Sequence, residues 1–151
     1  MHESRQTLDR AGILARIPHR GSSCLLDRLC RWDAHSIVCE TQSHLLADHP
    51  YRLNGRLSAV CAVEYAAQTF ALHARLKSPE TNAAPRPGYL AAVRELLLSA
   101  TSLDRCPGSL TIRAEELAAD SRRLLYSFSV WHQDSVIAQG RAAVAFPVAL
   151  P

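Results

Sequence analysis

Between Asp48 and Glu80 the chain carries a single carboxylate, Glu64, set between Val63 and Tyr65 in an apolar run. Its neighbours one helical turn away are Val60, Cys61, Ala67 and Gln68, and none of them is a cation. A carboxyl group desolvated in this way has its pKa raised and can deliver a proton near neutrality. A glutamate paired with an arginine from another element, or pointing out at a helix edge, fits the same pattern. His44 and His49 precede it, the latter by 15 residues. Imidazole is the usual base near pH 7. A protonated acid beside a neutral base is the pairing that general acid–base chemistry requires. Both histidines also suit exposed loop positions.

Other reactive groups fit less well. His44, Asp48 and His49 do not form a helical H-E-x-x-H, so no metal site is expected. Cys61 lies one turn from Glu64 with no histidine on that turn, and reads as a packed thiol. Ser22 and Ser23 follow Gly21 without a G-x-S-x-G elbow. His73, two turns beyond Glu64, reads as a satisfied core or interface histidine. Trp32 and Trp131 read as packing.

The element that must carry Glu64 is the clearest in the chain. Leu57 to Leu76 contains neither Gly nor Pro and is rich in alanine, the strongest helix former. Asn54-Gly55 precedes it as a turn, and Ser58 is placed to cap it. Apolar residues occur almost all round, so this helix should be buried on most faces. Beyond it the period changes to two, the strand signal. Leu110, Ile112 and Ala114 alternate with Thr111, Arg113 and Glu115. The same alternation runs over Leu124 to Trp131 and over Val136 to Val144, with Gln133-Asp134-Ser135 as a hairpin turn. Tyr89 to Ser99 and His35 to Ser43 read as further strands, and Ile13 to Arg16 as a short helical turn. Pro79 to Gly88 reads as an exposed loop.

One apolar helix and one antiparallel sheet must cover each other, which makes the chain α+β with the sheet curled around the helix. A single helix leaves part of a five- or six-stranded sheet uncovered, so a second subunit is expected on that edge.

The 151 residues carry 17 basic and 14 acidic side chains and are 48% hydrophobic. That is one ordinary globular domain, here residues 1–151, and excludes a disordered or disulfide-scaffold protein. No apolar run approaches the roughly 20 residues of a membrane span. The start, Met1 to Gln6, lacks an apolar signal core, so a soluble cytoplasmic protein is expected. Five cysteines (Cys24, Cys30, Cys39, Cys61, Cys106) form no C-x-x-C and read as reduced thiols. Arg16 to Arg56 holds six arginines and four acids, a surface suited to an acidic or phosphate-bearing partner. A net charge of +3 with no aromatic–basic platform gives no case for nucleic acid.

The segment Ile17 to Asp33, IPHRGSSCLLDRLCRWD, resembles the opening of the beta-hydroxyacyl-acyl-carrier-protein dehydratases. Val63 to His73, VEYAAQTFALH, is similar to their E-A-x-A-Q helix. Gly88 to Leu117 is similar to their second strand, Pro-Gly turn and third strand. The central loop, DHPYRLNGRL, resembles a divergent branch of the family found in aryl-polyene pigment clusters. The resemblance implies a hotdog fold, a dimer with itself or with a related hotdog subunit, and dehydration of 3-hydroxyacyl thioesters carried on the phosphopantetheine of acyl carrier protein. No further cofactor is implied.

On that resemblance Glu64 is the acid that protonates the departing hydroxyl, and His49 the base that takes the proton at C2. His49 here is followed directly by Pro50, without the family's Phe and second proline, and His44 is the alternative base. Gln68 matches the signature glutamine, a support for the carboxylate. Arg56, Leu57 and Ser58 occupy the stretch before the helix, with Gly55 earlier, where the family has a Pro-Gly and polarises the thioester carbonyl with an amide. Arg52 and Arg56 are expected at the mouth to attract carrier protein and phosphopantetheine. His19 and Arg20 belong to the opening signature and brace the fold. A hotdog thioesterase, or a degenerate subunit that pairs with an active dehydratase, remain the other readings.

Overall fold

The computed structural model describes residues 6–78 and 88–147. The expected loop over Pro79 to Gly88, apart from Gly88, and the start as far as residue 5 lie outside the described residues. The central helix α2 runs from Ala62 to Lys77, entered through a 3-10 turn, Ala59–Cys61. Ser58 does cap that turn, its Oγ accepting the Val60 N–H at 3.3 Å. Because the α-helix proper starts at Ala62, Glu64 stands in its first turn rather than at mid-helix, while Arg75 and Lys77 stand in its last. Both placements suit the helix dipole.

Six antiparallel strands form one sheet in the order β1-β2-β4-β5-β6-β3. They are β1 (Arg28–Trp32), β2 (Ser36–Thr41), β3 (Tyr89–Leu98), β4 (Leu110–Ala119), β5 (Arg123–His132) and β6 (Ser135–Ala145). The period-two reading of β4 and β5 holds, with Leu110, Ile112, Ala114, Leu124, Tyr126, Phe128 and Val130 turned inward and buried. Strand β6 is a strand as read, but its burial does not alternate, since Ile137 and Ala143 are buried beside Ala138, Ala142 and Val144. A short helix α1 (Arg10–Leu14) precedes them, a few residues earlier than the expected turn. Its N-cap is Asp9, whose Oδ1 accepts the Gly12 N–H.

Helix α2 lies across β2, β4, β5 and β6. Phe70 stacks on Tyr126 at 4.5 Å between ring centres and meets Phe128 at 6.1 Å. His73 is clamped between two groups, Nδ1 2.5 Å from the Tyr126 hydroxyl and Nε2 2.7 Å from the Asp33 carbonyl. It is a satisfied core histidine. The sheet edge at β3 is left open: Tyr89, Leu97 and Leu98 are exposed, and Glu95 bulges out with φ +55° where β6 brings Gly140 close.

Candidate active site

The loop between β2 and α2 is tied down by one arginine. Arg52 donates from Nε to the Leu46 carbonyl (2.7 Å), from one terminal nitrogen to Gly55 (2.8 Å) and from the other to His44 (3.0 Å). Asn54 and Gly55, both with positive φ, close a two-residue turn between Leu53 and Arg56. The sequence placed Arg52 at the mouth as a group for carrier protein or phosphopantetheine. The structure commits its guanidinium to three loop carbonyls instead. Arg56 is exposed and no side-chain partner holds it among the described residues.

Inside this loop His49 is 5% exposed, and both its ring nitrogens are engaged. Nδ1 accepts the Tyr51 backbone N–H at 3.1 Å, so the ring proton sits on Nε2, 3.0 Å from the hydroxyl of Tyr65. The Tyr65 hydroxyl is 2.7 Å from Ser43 Oγ, which donates to the Leu25 carbonyl at 2.7 Å. A buried polar chain therefore runs from His49 through Tyr65 and Ser43 to the backbone of the opening segment. Tyr65 is fully buried, and burial pushes its phenol well above its usual range, so it stays neutral. Sequence reasoning missed Tyr65 and Ser43. The one available signal was a polar tip on an otherwise apolar helix face.

His44 is enclosed completely. Its Nε2 lies 2.8 Å from the Cys106 carbonyl and donates to it, while its Nδ1 is buried without a partner among the described residues. Burial lowers the pKa of His44 and of His49, and Arg52 lowers both further. The charges that bear on His49 are those of Arg52, His44 and Asp48, and Glu64 is not among them.

Glu64 faces elsewhere. It is half-buried and has no hydrogen bond or ion pair among the described residues, so the desolvation expected from sequence is only partial in one chain. It lines a cavity of about 230 Å³ with Pro18, His19, Ala67, Ala71, Tyr89 and Leu90. Its charge bears on Tyr51 and Cys61, and helps keep both of those groups protonated. Glu64, Ala67, Ala71 and Ala74 form an incompletely buried strip of α2, continuous with exposed Val60. Through that cavity the strip meets Tyr89 and Leu90 at the start of β3. His19, expected only to brace the fold, shares the cavity, with its Nδ1 buried and without a partner among the described residues.

Gln68 does not support Glu64. Its Oε1 accepts the Leu25 N–H and its Nε2 donates to the Ser23 carbonyl, both at 2.8 Å. Tyr65 and Gln68, one turn apart, thus fasten the opening segment at Leu25. All five cysteines are free thiols. Cys61 is pushed up by burial and by Glu64, the reverse of what a nucleophile needs. No helix among the described residues is long and apolar enough to cross a membrane.

Four histidines, His19, His44, His49 and His73, have pKa values lowered, in each case chiefly by burial. The unfolded chain binds their protons first as pH falls, so each contributes stability that is present above about pH 6.5 and is lost below it. Calorimetry from about pH 7.5 to about pH 5 should show a steadily falling Tm. A flat profile across that window contradicts the burial of these imidazoles in neutral form.

A six-stranded antiparallel sheet wrapped around one long helix is the hotdog fold, here with a helix carboxylate and loop histidines. The sequence matches the ApeP-like family, described as ApeP dehydratase, over residues 12–150, and the chain belongs to that family of dehydratases. The fold is shared with the dehydratase heterocomplex ApeI:P from Xenorhabdus doucetiae (TM-score 0.79, 18% identity, covering 90% of this chain and 91% of that one). It is shared too with a thioesterase from Haemophilus influenzae (TM-score 0.61, 12% identity, covering 97% and 96%). A mutant thioesterase from Pseudomonas aeruginosa aligns similarly (TM-score 0.59, 14% identity, covering 94% and 96%). No curated protein matches the sequence.

Proposed function

We propose that this enzyme dehydrates 3-hydroxyacyl thioesters carried on acyl carrier protein to trans-2-enoyl products, in the assembly of a fatty-acid-like or aryl-polyene chain. The observation that carries the reading is Glu64, a carboxyl group with no hydrogen bond or ion pair among the described residues, on the uncovered strip of α2 and lining an otherwise largely apolar cavity. His49 takes the proton from C2. The C2 electron pair forms the double bond to C3 as the C3–O bond breaks, and Glu64 protonates the departing hydroxyl to give water. Within one chain no hydrogen bond or ion pair joins Glu64 to His49 among the described residues. The pair is completed across an interface, Glu64 of one subunit meeting the imidazole of another. A related hotdog subunit is favoured as that partner by the heterocomplex formed by the relative from Xenorhabdus doucetiae.

The test is incubation of the protein, alone and with a related hotdog subunit, with a 3-hydroxyacyl carrier protein. The expected product absorbs as a conjugated enoyl thioester. Release of free thiol instead marks a thioesterase and sinks the proposal. Arg56→Ala should raise KM for the carrier-bound substrate several-fold, since exposed Arg56 would meet the acidic carrier. The same variant should leave KM for a short free thioester unchanged. Equal losses on both substrates remove that role.

A further inference from the structure

Resting on the base role of His49 just proposed, we infer that Nδ1 is its proton-accepting nitrogen and that Tyr65 is the positioning residue that makes it so. The hydrogen bonds leave one arrangement of protons. Nδ1 accepts from the Tyr51 amide, so the neutral ring keeps its proton on Nε2 and gives it to the Tyr65 hydroxyl. Tyr65 in turn gives its proton to Ser43, and Ser43 to the Leu25 carbonyl. Every donor in the chain has its acceptor, and the series ends on a backbone oxygen that Gln68 holds in place through Leu25 N–H.

Nε2 therefore points into the core, where no substrate can reach it. Nδ1 points the other way, toward Tyr51, an exposed residue whose phenol feels the charge of Glu64. When C2–H is presented, Nδ1 exchanges the Tyr51 amide for the substrate proton. The imidazolium so formed keeps its Nε2–H on Tyr65, whose oxygen stabilises the new charge. An acceptor behind a histidine base, fixing the nitrogen that reacts, is how catalytic imidazoles are generally oriented.

The test is Tyr65→Phe in the full chain. Losing one hydrogen bond to a charged group should lower kcat about 10- to 100-fold with KM little changed. It should also shift the acid limb of the kcat/KM profile to lower pH, because Tyr65 favours the imidazolium. The other groups facing His49, namely Arg52, His44 and Asp48, are untouched by the change. Nitrogen-15 NMR of histidine-labelled protein, with His49 assigned by His49→Gln, reads the same residue without turnover. It should show an exchange-protected Nε2–H in the wild type that is lost in Tyr65→Phe. If Nε2 were the base, removing the hydroxyl that occupies it would leave kcat unchanged or raise it, and the inference falls. An unprotected Nε2–H in the wild type overturns it as well. Full activity in His49→Gln instead overturns the base role itself, so the two failures are told apart.

Discussion

Glu64→Gln gives a folded protein that no longer dehydrates. The amide keeps the shape of the carboxyl group but has no acidic proton to deliver to the departing hydroxyl, so kcat should fall by on the order of 10³, within the usual worth of a general acid. Folding should be unaffected. Glu64 is half-buried and makes no hydrogen bond or ion pair among the described residues, so the substitution breaks nothing in the single chain. The measurement is enoyl formation beside a melting curve. Loss of turnover with Tm unchanged assigns chemistry to the carboxyl. A residual rate within about threefold of wild type removes Glu64 from the mechanism, whatever the melting curve does. The single-chain geometry adds a second expectation. Where the partner subunit is a second copy of this chain, mixing Glu64→Gln with His49→Gln chains should restore part of the activity that each lacks alone.

The framework of this site was legible in the sequence because it rests on periodicity. The alanine-rich run gave α2, and the alternation of apolar and polar residues gave β4 and β5; β6 was located as a strand, although its burial does not alternate. Strand β1 was not read separately. It is five residues long with one fully buried side chain, and its hairpin closes on the Asp33 side chain, which accepts the His35 and Ser36 amides at 2.8 Å. No period exists over so short a stretch. The polar details were illegible for a different reason. Tyr65 and Gln68 look like members of an apolar helix, and what they do depends on Ser43, Leu25 and Ser23, 22 to 45 residues away in sequence. Arg52 was misread because a surface-like charge can be consumed by the carbonyls of its own loop. That outcome depends on the turn at Asn54-Gly55, which sequence located but whose consequence for Arg52 it did not reveal.

Between the two loop histidines, His49→Gln should cost activity and His44→Gln stability. The two differ in where their free lone pair lies. In His44 the Nε2 proton goes to the Cys106 carbonyl and the basic Nδ1 is sealed in the protein, away from any solvent. A base that substrate cannot touch cannot take its proton. Replacing it breaks a buried hydrogen bond, at a cost of about 1–3 kcal/mol, and should lower Tm while leaving kcat of the folded fraction close to wild type. His49 lies behind an exposed loop, its Nδ1 held by a single backbone amide at 3.1 Å. A bond of that kind is readily exchanged for a substrate proton. His49→Gln should therefore lower kcat about 100-fold or more, the worth of a general base, with a smaller change in Tm. The decisive comparison is kcat for each variant corrected for its folded fraction. If His44→Gln shows the larger loss, the sealed nitrogen must open during turnover, and the base role passes to His44.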